Sequence, residues 1–195
     1  MSRLPARTEA QLDGAARPVW DDITSGRRGT KESLLNPEGG LIGPFNAWVT
    51  APAVGERAAK LGEALRFDAS IERHLVELAI ITVGAHWQAE FEWWAHTGFA
   101  RTAGIGEDVI AAIREGRPPP LTAGSPEAVV HEFARQLVST GRVDDGAYAA
   151  ASALLDDQAM VELVALVGYY SLVSMTLNAF RVPLPAGVEP AWPEA

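Results

Sequence analysis

From about Asp157 to Phe180 the chain carries apolar residues on most sides of a helical wheel, through Leu163, Val164, Leu166, Val167, Leu172, Val173, Met175 and Leu177. A helix that is apolar nearly all round must be covered by its neighbours, so the remaining chain has to supply helices that pack against it. A bilayer span is the other solution for such a run. Glu162, Gly168 and the polar side chains of Ser171, Ser174, Thr176 and Asn178 make a helix of a protein core or subunit interface the expectation instead, with no membrane as partner. Tyr169, Tyr170 and Asn178 need hydrogen-bond partners if buried, and Tyr170 is the candidate to look into a site.

Amphipathic helices do precede it. Leu12, Ala16, Val19, Trp20 and Ile23 recur at helical spacing, with Pro18 near the start and the Gly-Arg-Arg-Gly turn at 26–29 as the stop. Val54, Ala58, Leu61 and Leu65 mark a helix behind Pro52, and Leu75, Leu78 and Ala79 mark the next. Gly104 and Gly106 end one helix and begin a short one over 107–115, and Pro118 to Pro120 form a stiff connector. Ser125 and Pro126 are a cap and first-turn pair for a helix buried through Val129, Phe133, Leu137 and Val138; His131 on that helix reads as structural. Asp144 and Asp145 open a further helix through Leu155. The prediction is an all-α single domain over 1–195: an N-terminal helix and lid-like loop over 1–50, core helices over 51–181, and a proline-rich tail over 182–195. The aperiodic stretch from Gly29 to Pro44 is an ordered loop of the length that usually serves function.

With 195 residues, 48% of them hydrophobic and 21% charged, the chain can bury a sizeable core without staples. It has no cysteine, which removes thiol nucleophiles, thiolate metal sites and disulfide switching and suits the cytoplasm. A formal charge of −9 argues against nucleic acid and for a small molecule. Met1 to Gln11 is too polar for a signal peptide, so a cytoplasmic location is expected.

The chemistry concentrates between Ile71 and Gly104. Gly84 and the polar residues after it are expected to split this stretch into a helical hairpin, since one unbroken helix would hold Glu77 and His96 roughly 28 Å apart. In the second helix Ala89, Glu92, Trp93 and His96 recur at spacings of three and four and share a face. Glu92 and His96 are then a carboxylate and an imidazole one turn apart, suited to proton transfer, or simply a structural pair. Glu77 sits beside the apolar stripe of the first helix, and His86 lies in the hinge, free to face a cavity. No metal is expected: neither His-x-x-x-His nor Glu-x-x-His spacing occurs.

The pattern E-L-A-I-x-x-V-x(8)-E-x-E-W-x-x-H, formed by Glu77 to Val83 and Glu90 to His96, resembles the carboxymuconolactone decarboxylase and alkylhydroperoxidase D-like superfamily. The resemblance implies an alkylhydroperoxidase D-like helical bundle of about seven to eight helices that assembles as a homo-oligomer, a trimer or hexamer. Glu77 and His96 match the Glu and His of the peroxidase branch, whereas Ala89 and Glu92 stand where its two cysteines would be. A disulfide relay needs a thiolate and a resolving partner, so that branch's chemistry is excluded. What remains resembles the decarboxylase branch. The implied activity is a cofactor-free lyase that decarboxylates a small carboxylated lactone or related β-oxo or vinylogous acid. In it His96 donates the proton or meets the oxyanion, Glu92 orients it, and Glu77 and His86 form a second acid/base pair. The segment Gly43 to Trp48 resembles one that closes the site in this family. Phe45, Trp48 and Trp93 would wall the pocket, Asn46 would offer a hydrogen bond, and Arg101, or equally Arg181 or an arginine of another subunit, would meet the substrate carboxylate. An isomerase or cyclase using the same residues, or a non-catalytic oligomeric small-molecule binder, are the alternatives.

Overall fold

In the computed structural model, which describes residues 2–192, the apolar run is helix α9, Asp157–Phe180. The Asp156 side chain caps it by accepting the Ala159 N–H, and Arg181 ends it in the left-handed conformation. Eight helices precede it among the described residues: α1 (Ala16–Ser25), α2 (Phe45–Thr50), α3 (Pro52–Phe67), α4 (Arg73–His86), α5 (Glu90–Thr102), α6 (Glu107–Arg114), α7 (Pro126–Thr140) and α8 (Asp145–Leu154). The one not expected is α2, formed by the Phe45 to Thr50 segment that reads in sequence as a pocket wall. Helices α3, α4, α5, α7 and α8 all touch α9, and α4 is also packed by α5, α6 and α7.

That arrangement makes α4 the most enclosed element, with every residue from Leu75 to Gly84 buried. It also explains why α4 continues through Gly84 to His86. One helical glycine costs about 1 kcal/mol, less than the burial of that uninterrupted apolar run contributes. The chain reverses at Trp87 to Ala89 instead, where Gln88 takes a positive φ of 46°.

The loop from Gly29 to Pro44 is ordered by its own contacts. A 3-10 turn spans Glu32–Leu34, short antiparallel bridges join Thr8 to Gly40 and Leu35 to Leu41, and the Asn36 side-chain Oδ1 accepts the N–H groups of Glu38 and Gly40. At Gly43 the φ is +59°, and a Cβ there would come within 2.8 Å of the Phe91 ring, so glycine lets the loop lie directly on α5. The described part of the tail is draped on the body: the Glu90 carboxylate accepts the N–H groups of Ala191 and Trp192 at 2.8 and 2.9 Å. Residues 193–195, the end of the expected tail, lie outside the described residues.

Helix α9 is long and apolar enough to cross a bilayer, and half of its most apolar window is buried within the fold. The other side presents Val161, Val164, Leu172 and Met175 to solvent at helical spacing.

Candidate active site

Helices α4 and α5 lie side by side, and Glu77 and His96 meet between them. The His96 Nδ1 is 2.7 Å from Glu77 Oε2 in a buried hydrogen bond, and Arg73, one turn earlier on α4, forms an ion pair with the other Glu77 oxygen. On the far side of the ring, His96 Nε2 is 3.1 Å from Glu92 Oε1. The geometry of that contact falls outside a hydrogen bond, and Glu92 Oε1 is buried with no hydrogen-bond partner among the described residues. A single imidazole thus stands between two carboxylates, all three groups nearly inaccessible to water: Glu77 is 0%, Glu92 4% and His96 5% exposed.

Burial alone would push the His96 pKa down, but the charges of Glu92 and Glu77 and the hydrogen bond to Glu77 outweigh it and raise the value to about 9. Burial likewise raises that of Glu77, and the neighbouring His96 and Arg73 outweigh it, holding the carboxyl below its ordinary range. At neutral pH the ring is therefore an imidazolium and its Nδ1 partner a carboxylate. Tyr170 packs edge-on against the His96 ring with centroids 5.1 Å apart, and Tyr169 packs on Tyr170. Burial and the Glu92 charge keep both phenols protonated, so they can donate but not abstract protons.

His96 and Glu92 form part of the wall of a pocket of about 530 Å³. Phe91, Trp94, Ala95 and Phe99 of α5 line it, faced by Leu34, Ile42 and Phe45 from the N-terminal loop and α2, and by Tyr169, Tyr170 and Val173 of α9. Arg28 and Arg66 complete it. Of the residues singled out from sequence, the fold brings Glu77, Glu92, His96, Tyr170 and Phe45 together here.

Five others lie elsewhere. His86 is nine residues from Glu77 on one continuous helix, which turns it about 180° to the opposite face. It lines a different cavity, of about 1190 Å³, with His131, Arg114, Arg117 and Arg135. Trp93 is only two positions from Ala95, yet that rotates it about 160° away from the pocket, into a second apolar cluster and against Trp192. Trp48 is buried in the main core. Asn46 accepts the Arg7 N–H and donates to the Pro5 carbonyl, fastening the N-terminal strand of chain rather than facing the pocket. Arg101 pairs with Glu107 on the surface. Sequence reasoning missed Trp94, Phe99, Arg28 and Arg66. Phe91, Ala95, Phe99 and Thr102 share a helical stripe that could have disclosed the α5 wall; nothing local marks the arginines.

The larger cavity around His86 is the weaker candidate. Its arginines are neutralised by Glu115 and Glu132, and burial pushes the His131 pKa down, leaving that ring neutral. Among the described residues no group of three or more His, Asp and Glu side chains is placed to hold a metal ion.

No family model and no curated protein matches the chain. Solved structures do. An uncharacterized peroxidase-related protein from Ralstonia eutropha with an alkylhydroperoxidase AhpD core superimposes with a TM-score of 0.73 at 14% identity, over 95% of this chain and 93% of that one. A cysteine-to-alanine variant of the debrominase Bmp8 in complex with 2,3,4-tribromopyrrole gives 0.70 at 12% identity, again over 95% and 93%. An Agrobacterium tumefaciens protein of unknown function, linked by name to the antioxidant defence protein AhpD, gives 0.64 at 16% identity, over 72% of this chain and 97% of that one. This all-α chain has the alkylhydroperoxidase D-like fold, with no cysteine anywhere to serve the peroxidase chemistry for which that fold is named.

Proposed function

We propose that the chain is a cofactor-free acid–base enzyme acting on a small, planar, carboxylated molecule, and that its reaction is the decarboxylation of a carboxylated lactone or a related β-oxo or vinylogous acid. The observation that supports this is the His96 imidazolium, buried between Glu77 and Glu92 and forming the wall of an apolar pocket. A fold neighbour that binds a tribromopyrrole supports a small ring as the ligand.

In such a reaction the bond between the ring carbon and its carboxylate breaks, CO2 departs, and the electron pair moves into the conjugated carbonyl as an enolate. A donor must meet the developing oxyanion and a proton must reach the carbanion. Among the donors that line this pocket, the Tyr170 hydroxyl and the imidazolium take these roles. His96 Nε2–H gives the proton, Glu77 holds the ring and keeps it charged, and Glu92 returns a proton from solvent to the ring. One proton is consumed and one CO2 released per turnover. With no cysteine, the chemistry of a thiol is closed to the chain.

The unpartnered Glu92 oxygen beside an imidazolium also favours a second reading, an isomerase in which Glu92 abstracts a proton and His96 returns one. Headspace CO2 measured over a panel of lactone acids and β-oxo acids separates the two. Release that disappears in His96→Gln supports the decarboxylase; conversion without CO2 supports the isomerase; binding with no conversion of any acid leaves a small-molecule binder. We further propose that the exposed apolar face of α9 is buried against a second copy of the chain in a homo-oligomer.

A further inference from the structure

The pocket contains a cation with no ion-pair partner among the described residues. Arg28 is held by Glu63 and the Ala59 carbonyl, Arg73 by Glu77, and Arg101 by Glu107. Arg66, in the last turn of α3, has no carboxylate within ion-pair distance among the described residues, and its Nε is buried with no hydrogen-bond partner. Its guanidinium carbon instead sits over aromatic rings, 4.2 Å from the Phe99 centroid and 5.1 Å from that of Phe67. A cation held over ring faces is attracted by their π-electrons without using its N–H groups, which stay available to an acceptor. In a chain of net charge −9 an unpaired half-buried arginine at an apolar pocket is out of keeping with its surroundings, unless the missing partner arrives with the ligand.

We propose that Arg66 is the anion-binding residue of this pocket, and that the ligand is a planar acid whose ring lies among Phe45, Phe91, Trp94 and Phe99 with a carboxylate on the Arg66 guanidinium. This deepens the decarboxylase reading and rests on it for the identity of the pocket. It also refines that reading. A cation gripping the carboxylate that leaves as CO2 would stabilise the ground state, where the charge sits, more than the transition state, where the charge has moved to the carbonyl. Arg66 therefore orients the substrate through an anionic group retained in the product, and acts as a binding and positioning residue.

The test is equilibrium binding of benzoate and of its uncharged isostere benzamide, followed by quenching of tryptophan fluorescence, in the wild-type chain, Arg66→Gln and Arg66→Lys. Benzoate should bind at least tenfold more tightly than benzamide in the wild type. Arg66→Gln should abolish that preference without weakening benzamide, and Arg66→Lys should restore part of it, because the charge returns without the planar fork. Unchanged circular dichroism and melting temperature confirm that the variants fold. Equal binding of the two probes, no binding of either, or a preference that survives Arg66→Gln overturns the proposal. Since binding needs no turnover, the two readings fail separately. A lost preference in Arg66→Gln with no acid converted sinks only the decarboxylase, whereas CO2 release with the preference intact sinks only this assignment. In an active enzyme Arg66→Gln should raise KM at least tenfold while kcat changes by less than threefold.

Discussion

At the level of single residues, the two carboxylates of the site divide the work. Glu77 is the hydrogen-bonded partner of His96, and Glu92 touches the other ring nitrogen without a bond to it. Glu77→Gln should therefore lower the His96 pKa, and the alkaline limb of the activity profile should move to lower pH with it; a limb that stays in place would show that Glu77 does not set the ring's charge. His96→Gln should reduce kcat by about 10²-fold or more, the usual range for loss of a general acid. The i, i+4 spacing of Glu92 and His96 was legible from sequence, because a helix enforces it whatever it packs against. Glu77 was legible from its place beside an apolar stripe in the expected hairpin and from the family pattern that pairs it with His96. Trp93 and Trp94 show how narrow the margin is: one residue is about 100° of helix, and it is Trp94 that reaches the pocket while Trp93 joins the second cluster.

Helices, taken as units, reveal what local pattern can and cannot convey. The bounds of α9 and the caps at Ser125 and Asp144 were legible because each rests on contacts within a few residues. The pocket was not, since it is made where the end of α3, the middle of α5 and the middle of α9 converge, and no periodicity within one helix encodes a meeting of three. Arg66 is the clearest instance: in sequence it is an ordinary basic residue closing a helix. Helix α3 approaches α9 so closely at Gly62 that an added methyl would overlap the Tyr169 hydroxyl. Gly62→Ala should push Tyr169 into the pocket, weaken benzoate binding, and cost about 1 to 3 kcal/mol as overpacking does. Gly98→Ala, on the same pocket wall but with no atom within 4 Å of the new methyl, is the control that should keep or raise the melting temperature, since alanine is the better helix former. Equal destabilisation by the two would contradict the close approach of α3 and α9.

For the molecule as a whole, the buried charge network ties stability to pH. The folded-state pKa of His96, about 9, lies above the ordinary value of 6.5, so its contribution is complete below pH 6.5 and is lost as the pH rises through 9. Glu77 is shifted the opposite way, so its contribution is present above 4.5 and is lost as the pH falls through its depressed folded value. Thermal melts from pH 4 to 10 should decline on both flanks, and His96→Gln should flatten the alkaline one. The exposed face of α9 carries a separate expectation. The chain of 20.8 kDa should elute from a sizing column with light scattering as a multiple of that mass, and a Val164→Glu, Met175→Glu double variant should shift it toward one copy; a monomeric wild type would contradict the proposed assembly. Catalysis of either kind requires that His96, only 5% exposed, carry a proton at neutral pH. Its titration can be followed by proton–nitrogen correlation spectroscopy of the imidazole, with His96→Gln supplying the assignment. The midpoint should lie near 9, with the ring protonated on both nitrogens at pH 7; a midpoint at or below 6.5, leaving a neutral imidazole at pH 7, would contradict the account.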